Sequence, residues 1–220
     1  MTRKLAGEFL GSLVLLMAVA GSGMMAVELS SDTGIQLFIN AFTTILALGL
    51  LIFIFAPISG AHFNPIVSLI EYLKKRLTFA ELLGYLTTQA SGAVIGVVLA
   101  NLMFEHPALF PSHHLRNGWN IWLGEVVATG GLIFIIQLLG QQKNERFAPL
   151  VVASWIGSAY FFTSSTSFAN PAVTLARSQT DTFSGIAPSS VPTFIAFQLI
   201  GALIGWMLFK SIHTASKGLT

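Results

Sequence analysis

The sequence predicts an all-α membrane protein: six transmembrane helices plus two re-entrant half-helices, arranged as an inverted repeat. Three observations predict it: a composition too poor in charge for a water-covered surface, a count of apolar runs, and a set of motifs that occurs twice. Only 9% of the 220 residues are Asp, Glu, Lys or Arg, while 54% are apolar; an ordinary globular protein carries roughly 25% charged residues. So few charges cannot cover a soluble domain of this size. There is no cysteine, which excludes disulfides, thiolate metal sites and Cys catalysis. A net charge of +2, with no basic patch interleaved with aromatics, gives no reason to expect a nucleic-acid partner.

A membrane span needs about 20 mostly apolar residues. Six stretches qualify, at about 5–27, 35–57, 80–104, 120–140, 147–164 and 191–210, the fifth being the shortest. The first also has features of a signal peptide, with Arg3 and Lys4 before an apolar run and Ala18, Ala20 and Gly21 after it. Against that, the run is long for a signal core, Glu8 interrupts it, and it has a counterpart in the second half of the chain. With six spans, nine of the eleven basic residues share one side: Arg3, Lys4, Lys74, Lys75, Arg76, Lys143, Arg146, Lys210 and Lys217. Only Arg116 and Arg177 fall opposite. The positive-inside rule then places both termini in the cytoplasm.

The two halves repeat. Gly7-Glu8 matches Gly124-Glu125, and Ser59-Gly-Ala-His-Phe-Asn64-Pro65-Ile66-Val67 matches Ser165-Thr-Ser-Phe-Ala-Asn170-Pro171-Ala172-Val173. Gln89-Ala-Ser-Gly92-Ala-Val-Ile-Gly96 matches Gln198-Leu-Ile-Gly201-Ala-Leu-Ile-Gly205. One domain, residues 1–220, is therefore built from a unit at about 1–105 and a second at about 119–212. Three spans per unit is an odd number, so the second unit enters from the opposite face. The Gly-Ala-x-x-Gly segments permit close helix approach, and spans 3 and 6 are expected to cross each other on these faces.

Each unit also holds an apolar stretch too short to cross, at 58–73 and 164–176. Asn is a preferred helix N-cap and Pro suits the first helical position. Each stretch is therefore expected to enter as loop and become a short helix at Asn64 and at Asn170. About ten helical residues cover about 15 Å, half the hydrocarbon core. Two half-helices from opposite faces then meet near the midplane, N-terminus to N-terminus. A single Asn-Pro would merely cap a surface helix; two at matching places in an inverted repeat argue for the pair.

On these residues the chain resembles the aquaporins, or major intrinsic proteins. Ser59 to Ile66 and Phe168 to Leu175 look like that family's paired Asn-Pro-Ala boxes, here Asn64, Pro65, Ile66 and Asn170, Pro171, Ala172; Glu8, Glu125, Gln89 and Gln198 fall where the family places them. The resemblance covers nearly the whole chain. It implies one pore per subunit, a homotetramer in the lipid bilayer, passive passage of small neutral solutes, exclusion of ions and protons, and no cofactor. Glu8 and Glu125 are then expected to brace the re-entrant loops, in preference to carrying protons. His62 is expected to line the pore or fix the loop on the cytoplasmic side, with a pH gate as an alternative. With each Asn oxygen used in capping, the amide NH2 groups of Asn64 and Asn170 are expected to donate into the lumen, where the half-helix dipoles repel cations.

The chain departs from the family pattern at one informative place. Val173 stands where most members carry Arg. Carried over by spacing, the outer constriction is Thr44, Ser158, Ser167 and Val173, all small or medium and uncharged, which suggests a wide opening. Arg177, four residues on, falls on nearly the same helix face one turn outward; it either charges the outer vestibule or is a snorkelling or loop-bonded arginine. The run 170–188 resembles a bacterial branch of the family, some of it encoded with arsenic-resistance genes, so a bacterial inner membrane is implied and neutral metalloid hydroxides such as As(OH)3 join water and glycerol as candidate permeants. A strict water channel is the alternative. His106, His113 and His114 lie in a loop stiffened by Pro107 and Pro111 and are expected to be surface histidines, with no metal site. An intramembrane enzyme using Ser59, His62 and Glu8 lacks any G-x-S-x-G or H-E-x-x-H motif. A coupled transporter would have only Glu8 and Glu125 as credible ion-coupling carboxylates.

Overall fold

The structure is a computed structural model that describes residues 1–217, and side chains as far as Ile212. The side chain of Lys217, assigned above to the cytoplasmic side, lies outside the described residues. Among the described residues eight α-helices follow one another: α1 (Thr2–Leu29), α2 (Thr33–Ser59), α3 (Pro65–Leu73), α4 (Phe79–Met103), α5 (Trp119–Gln141), α6 (Ala148–Phe162), α7 (Pro171–Arg177) and α8 (Val191–Lys217). Five of them, α1, α2, α4, α5 and α8, are long and apolar enough to cross a membrane. The sixth expected span, α6, has 15 residues, about 22 Å of helix, and is preceded by a 3-10 turn at Glu145–Phe147.

Local chemistry sets the helix ends. Asp32 caps α2 by accepting from Ile35 N at 2.9 Å, and α2 closes on Gly60, whose φ of 89° only glycine adopts freely. Thr78 and Glu81 form a reciprocal capping box at the start of α4. The long helices expose their apolar residues outward: Phe38, Phe42, Leu46, Leu50 and Phe53 on α2, and Leu199, Leu203, Met207 and Leu208 on α8. Glu8, Gln89, Glu125 and Gln198 are fully buried instead. An apolar exterior around buried carboxylates and amides suits a lipid solvent. The chain is therefore an all-α, multi-span membrane protein.

The small-residue faces pack tightly, but against partners other than those expected. A Cβ on Gly92 or Gly96 would overlap the carbonyls of Phe9 and Leu13 on α1, and one on Gly201 or Gly205 would overlap those of Val126 and Gly130 on α5. The crossings on these faces are α1 with α4 and α5 with α8. Helices α4 and α8 do not cross each other there. The spacing reveals that a close approach exists, but small residues carry no label for the partner.

Candidate functional site

The two short helices start where the Asn-Pro pairs predict. Asn64 is the N-cap of α3 and its Oδ1 accepts from Ile66 N at 3.0 Å. Asn170 is the N-cap of α7 and its Oδ1 accepts from Ala172 N at 2.9 Å and Val173 N at 3.3 Å. Pro65 and Pro171 occupy the first helical turn, where their missing N–H costs nothing. The two N-termini meet: Asn64 Nδ2 donates to Ala169 O at 2.8 Å, and Asn170 Nδ2 donates to Phe63 O at 2.7 Å. This corrects the expectation of wholly free amide groups. One hydrogen of each NH2 ties the two segments together, leaving one per Asn for other acceptors.

The loops before these helices are held in a demanding conformation. Ala61 and Phe63 (φ 51° and 47°) and, at the matching places, Ser167 and Ala169 (φ 52° and 48°) are left-handed without being glycine. Each costs on the order of 1–2 kcal/mol. Two buried carboxylates offset this. Glu8 accepts from His62 N (3.0 Å), Phe63 N (2.8 Å), Ser59 Oγ (2.6 Å) and Gln89 Nε2 (2.7 Å). Glu125 accepts from Phe168 N (2.9 Å), Ala169 N (2.9 Å) and Gln198 Nε2 (2.6 Å). Each Gln also donates to a hydroxyl on the neighbouring short helix, Ser68 at 2.9 Å and Thr174 at 2.9 Å. Those hydroxyls donate in turn to the carbonyls of Asn64 and Asn170.

A cavity of about 350 Å³ runs past both Asn side chains. Lys74, Arg76, Glu71 and Glu145 line one end; Thr44, Tyr160, Ser167, Val173 and Arg177 line the other. Between them the wall is mainly aliphatic, with Leu15, Val19, Leu48, Val67, Leu132 and Ile156. His62 lines the cavity, its Nδ1 3.0 Å from Ser68 Oγ and its ring 5.1 Å from that of Tyr85. Pro65, Ile66, Pro171 and Ala172 shape the helix starts without lining the cavity; Ile66 is buried beside Ile70, Ile133 and Ala202.

Three of the four residues expected at the outer constriction converge: Thr44, Ser167 and Val173 all line the cavity. Ser158 does not. It is exposed on the outer face of α6, and Tyr160 lines the cavity in its stead, with its hydroxyl donating to Thr44 Oγ1 at 3.3 Å. Spacing counted across the loop 163–169 misplaces the helix by two residues. The i, i+4, i+8 series Val152, Ile156, Tyr160, all cavity-lining, is the signal that finds the right face. The residues that line this end of the cavity therefore include one bulky ring, against the expectation of four small or medium groups.

Arg177 is only 2% exposed and lines the cavity. Its Nε donates to the carbonyl of Ser184, and its guanidinium lies 3.5 Å from the ring centroid of Phe168. It is thus loop-bonded and cavity-facing at once. In the loop between α4 and α5, His113 Nδ1 lies 2.8 Å from Asp181 Oδ2 and His114 Nε2 lies 3.7 Å from Oδ1, while His106 sits apart against Phe110. The Asp181 carboxyl is held below its ordinary value, first by the hydrogen bond from His113 N and then by that from the His113 ring.

Apolar spanning helices around a passage lined by two facing Asn caps define a polytopic membrane channel. The major intrinsic protein family matches residues 1–168 of this chain. The chain is 45% identical over 210 residues to the aquaglyceroporin AqpS of Rhizobium meliloti, covering 96% of this chain and 90% of that one. It is 28% identical over 236 residues to aquaporin Z of Brucella melitensis, with 96% and 98% covered. Among solved structures, the aquaglyceroporin from Plasmodium falciparum superposes with a TM-score of 0.72 at 19% identity over 96% of each chain, a likeness of fold. The chain belongs to the major intrinsic protein family. It is a passive small-solute channel and not an enzyme.

Proposed function

We propose that the cavity is the pore of a channel for small uncharged solutes, with water, glycerol and neutral metalloid hydroxides such as As(OH)3 as permeants and with ions and protons excluded. The observation that carries this reading is the reciprocal pair of bonds by which each Asn cap reaches the other re-entrant segment beside a continuous cavity. It brings two helix N-termini, and two remaining amide hydrogens, to one point of the passage. A passing hydroxyl oxygen accepts there, while a cation meets two positive dipole ends. In this reading α6 is the sixth crossing, α3 and α7 are re-entrant half-helices, and the units 1–105 and 119–212 are inverted copies. Glu8 and Glu125 brace the loops, and Thr44, Tyr160, Ser167 and Val173 form the outer constriction.

Two relatives support glycerol: the aquaglyceroporin of Rhizobium meliloti, and a glycerol uptake facilitator of Streptococcus pneumoniae that is 33% identical over 107 residues. The metalloid permeant and the bacterial inner membrane rest on the likeness of the 170–188 run to the bacterial branch described above; the homotetramer rests on the resemblance to the family as a whole, and the cytoplasmic termini on the distribution of Lys and Arg. One observation favours the narrower alternative, a strict water channel: Tyr160 puts an aromatic ring into the constriction. Glycerol entry into proteoliposomes tests the reading. The initial rate should rise linearly with concentration and ignore proton and sodium gradients. Dependence on either gradient would make the protein a coupled transporter, and saturation without it an uncoupled carrier.

A further inference from the structure

The outer end of the passage carries charge of one sign. Arg177 lines the cavity, and Arg116 reaches the same place from the external loop. Both guanidiniums lie against the ring of Phe168, at 3.5 Å and 5.1 Å from its centroid. Both hang from consecutive carbonyls: Arg177 Nε donates to Ser184 O, and Arg116 Nε donates to Gly185 O at 3.0 Å. Gly185 is pressed so close that a Cβ there would overlap Ser112 Oγ. Among the described residues neither arginine has a carboxylate within ion-pair distance.

The matching place in the other half behaves differently. Glu71 lies seven residues after Asn64, as Arg177 lies seven after Asn170. Glu71 also lines the cavity, but it is neutralised by Lys74 at 2.7 Å and Arg76 at 3.1 Å. A buried and a half-buried guanidinium that form no ion pair lower stability; stacking on an aromatic face and two carbonyl bonds recover part of that. A cation entering from outside meets this cationic pair in a poorly screened site. A neutral polyol meets N–H donors instead.

We infer that Arg177, seconded by Arg116, is the outer charge barrier of the pore and stands one helical turn beyond Val173. The inference rests on the reading of the cavity as a pore. Phe168 is the platform that fixes both cations, and residues 184–185 are the clamp. The barrier excludes cations without narrowing the constriction at Val173.

The test compares potassium leak with glycerol flux in the same proteoliposomes, for wild type, Arg177→Gln, Arg177→Lys and Arg116→Gln. Removing the cavity-facing charge should raise the ratio of leak to glycerol flux about ten-fold or more. Arg116→Gln should raise it about two- to five-fold, as the more distant charge. Arg177→Lys, which keeps the charge, should stay within about two-fold of wild type. An Arg177→Gln channel that carries glycerol at the wild-type leak ratio overturns the inference. If that variant does not insert, Arg116→Gln decides alone, and an unchanged ratio overturns it. Wild type that passes water but no glycerol is scored by the ratio of leak to water flux instead; wild type that passes neither overturns the pore reading and this inference with it.

Discussion

The segments that lead into α3 and α7 share a hydrogen-bond skeleton and differ in nearly everything attached to it. Glu8 and Glu125 each accept two successive backbone N–H groups, Gln89 and Gln198 each link that carboxylate to a hydroxyl, and Asn64 and Asn170 each cap one helix and bond the other segment. Off the skeleton, His62 faces Tyr85 in the segment before α3 where Phe168 faces Phe194 in the segment before α7, each pair of rings 5.1 Å apart. The balanced Glu71 has Arg177 as its counterpart. Backbone held by buried carboxylates tolerates little change, because an unpaired N–H there costs the full desolvation penalty. Side chains projecting from that backbone into the passage carry no such duty, so the two mouths are free to differ in charge and shape.

The largest expected effect attacks the shared skeleton. Glu8→Leu and Glu125→Leu should each lose about 3–5 kcal/mol, since each strands buried donors. Thermal unfolding in detergent should show comparable losses; a large loss in one and almost none in the other would break the equivalence of the halves. Next come the crossings. Gly96→Ala and Gly205→Ala should each cost about 1–3 kcal/mol by overpacking, read in the same assay, with the paired effects alike. Tyr160→Ala sharpens the difference between the mouths. It should raise glycerol flux several-fold in proteoliposomes with little change in water flux; an unchanged glycerol rate would remove Tyr160 from the constriction. The smallest effect concerns the outer loop. Asp181 has its pKa lowered in the fold by His113. Its contribution is therefore present above the ordinary carboxylate pKa and lost as pH falls through the lowered folded value. As a surface pair it is worth about 0.2–1 kcal/mol. Protection of His113 N against hydrogen exchange, relative to the intrinsic rate at each pH, should fall across that window, and Asp181→Asn should abolish this change in protection.

Much of this architecture is legible in the residues. Apolar runs locate the long helices, because lipid imposes length and composition together, and Asn-Pro locates the starts of the two short helices, because cap chemistry is local. What eludes the sequence is relational. Gly92 and Gly96 announce a close crossing but not that α1 supplies it. Ser158 satisfies a count of residues back from Asn170, while helix phase turns Tyr160 inward. Asn64 offers two amide hydrogens, and only the geometry shows that one is spent on Ala169 O. Arg116 sits in a loop without periodicity, so nothing short of the fold brings it to Phe168.

The central claim is that small neutral solutes pass through the cavity and out past Val173. Stopped-flow light scattering on proteoliposomes challenged separately with an impermeant osmolyte, glycerol and arsenous acid, for wild type and Val173→Arg, tests it most directly. The account predicts that wild type passes water and glycerol, and that the substitution cuts glycerol and arsenous acid while water flux persists. Glycerol and arsenous acid rates that ignore an arginine at position 173 would contradict it.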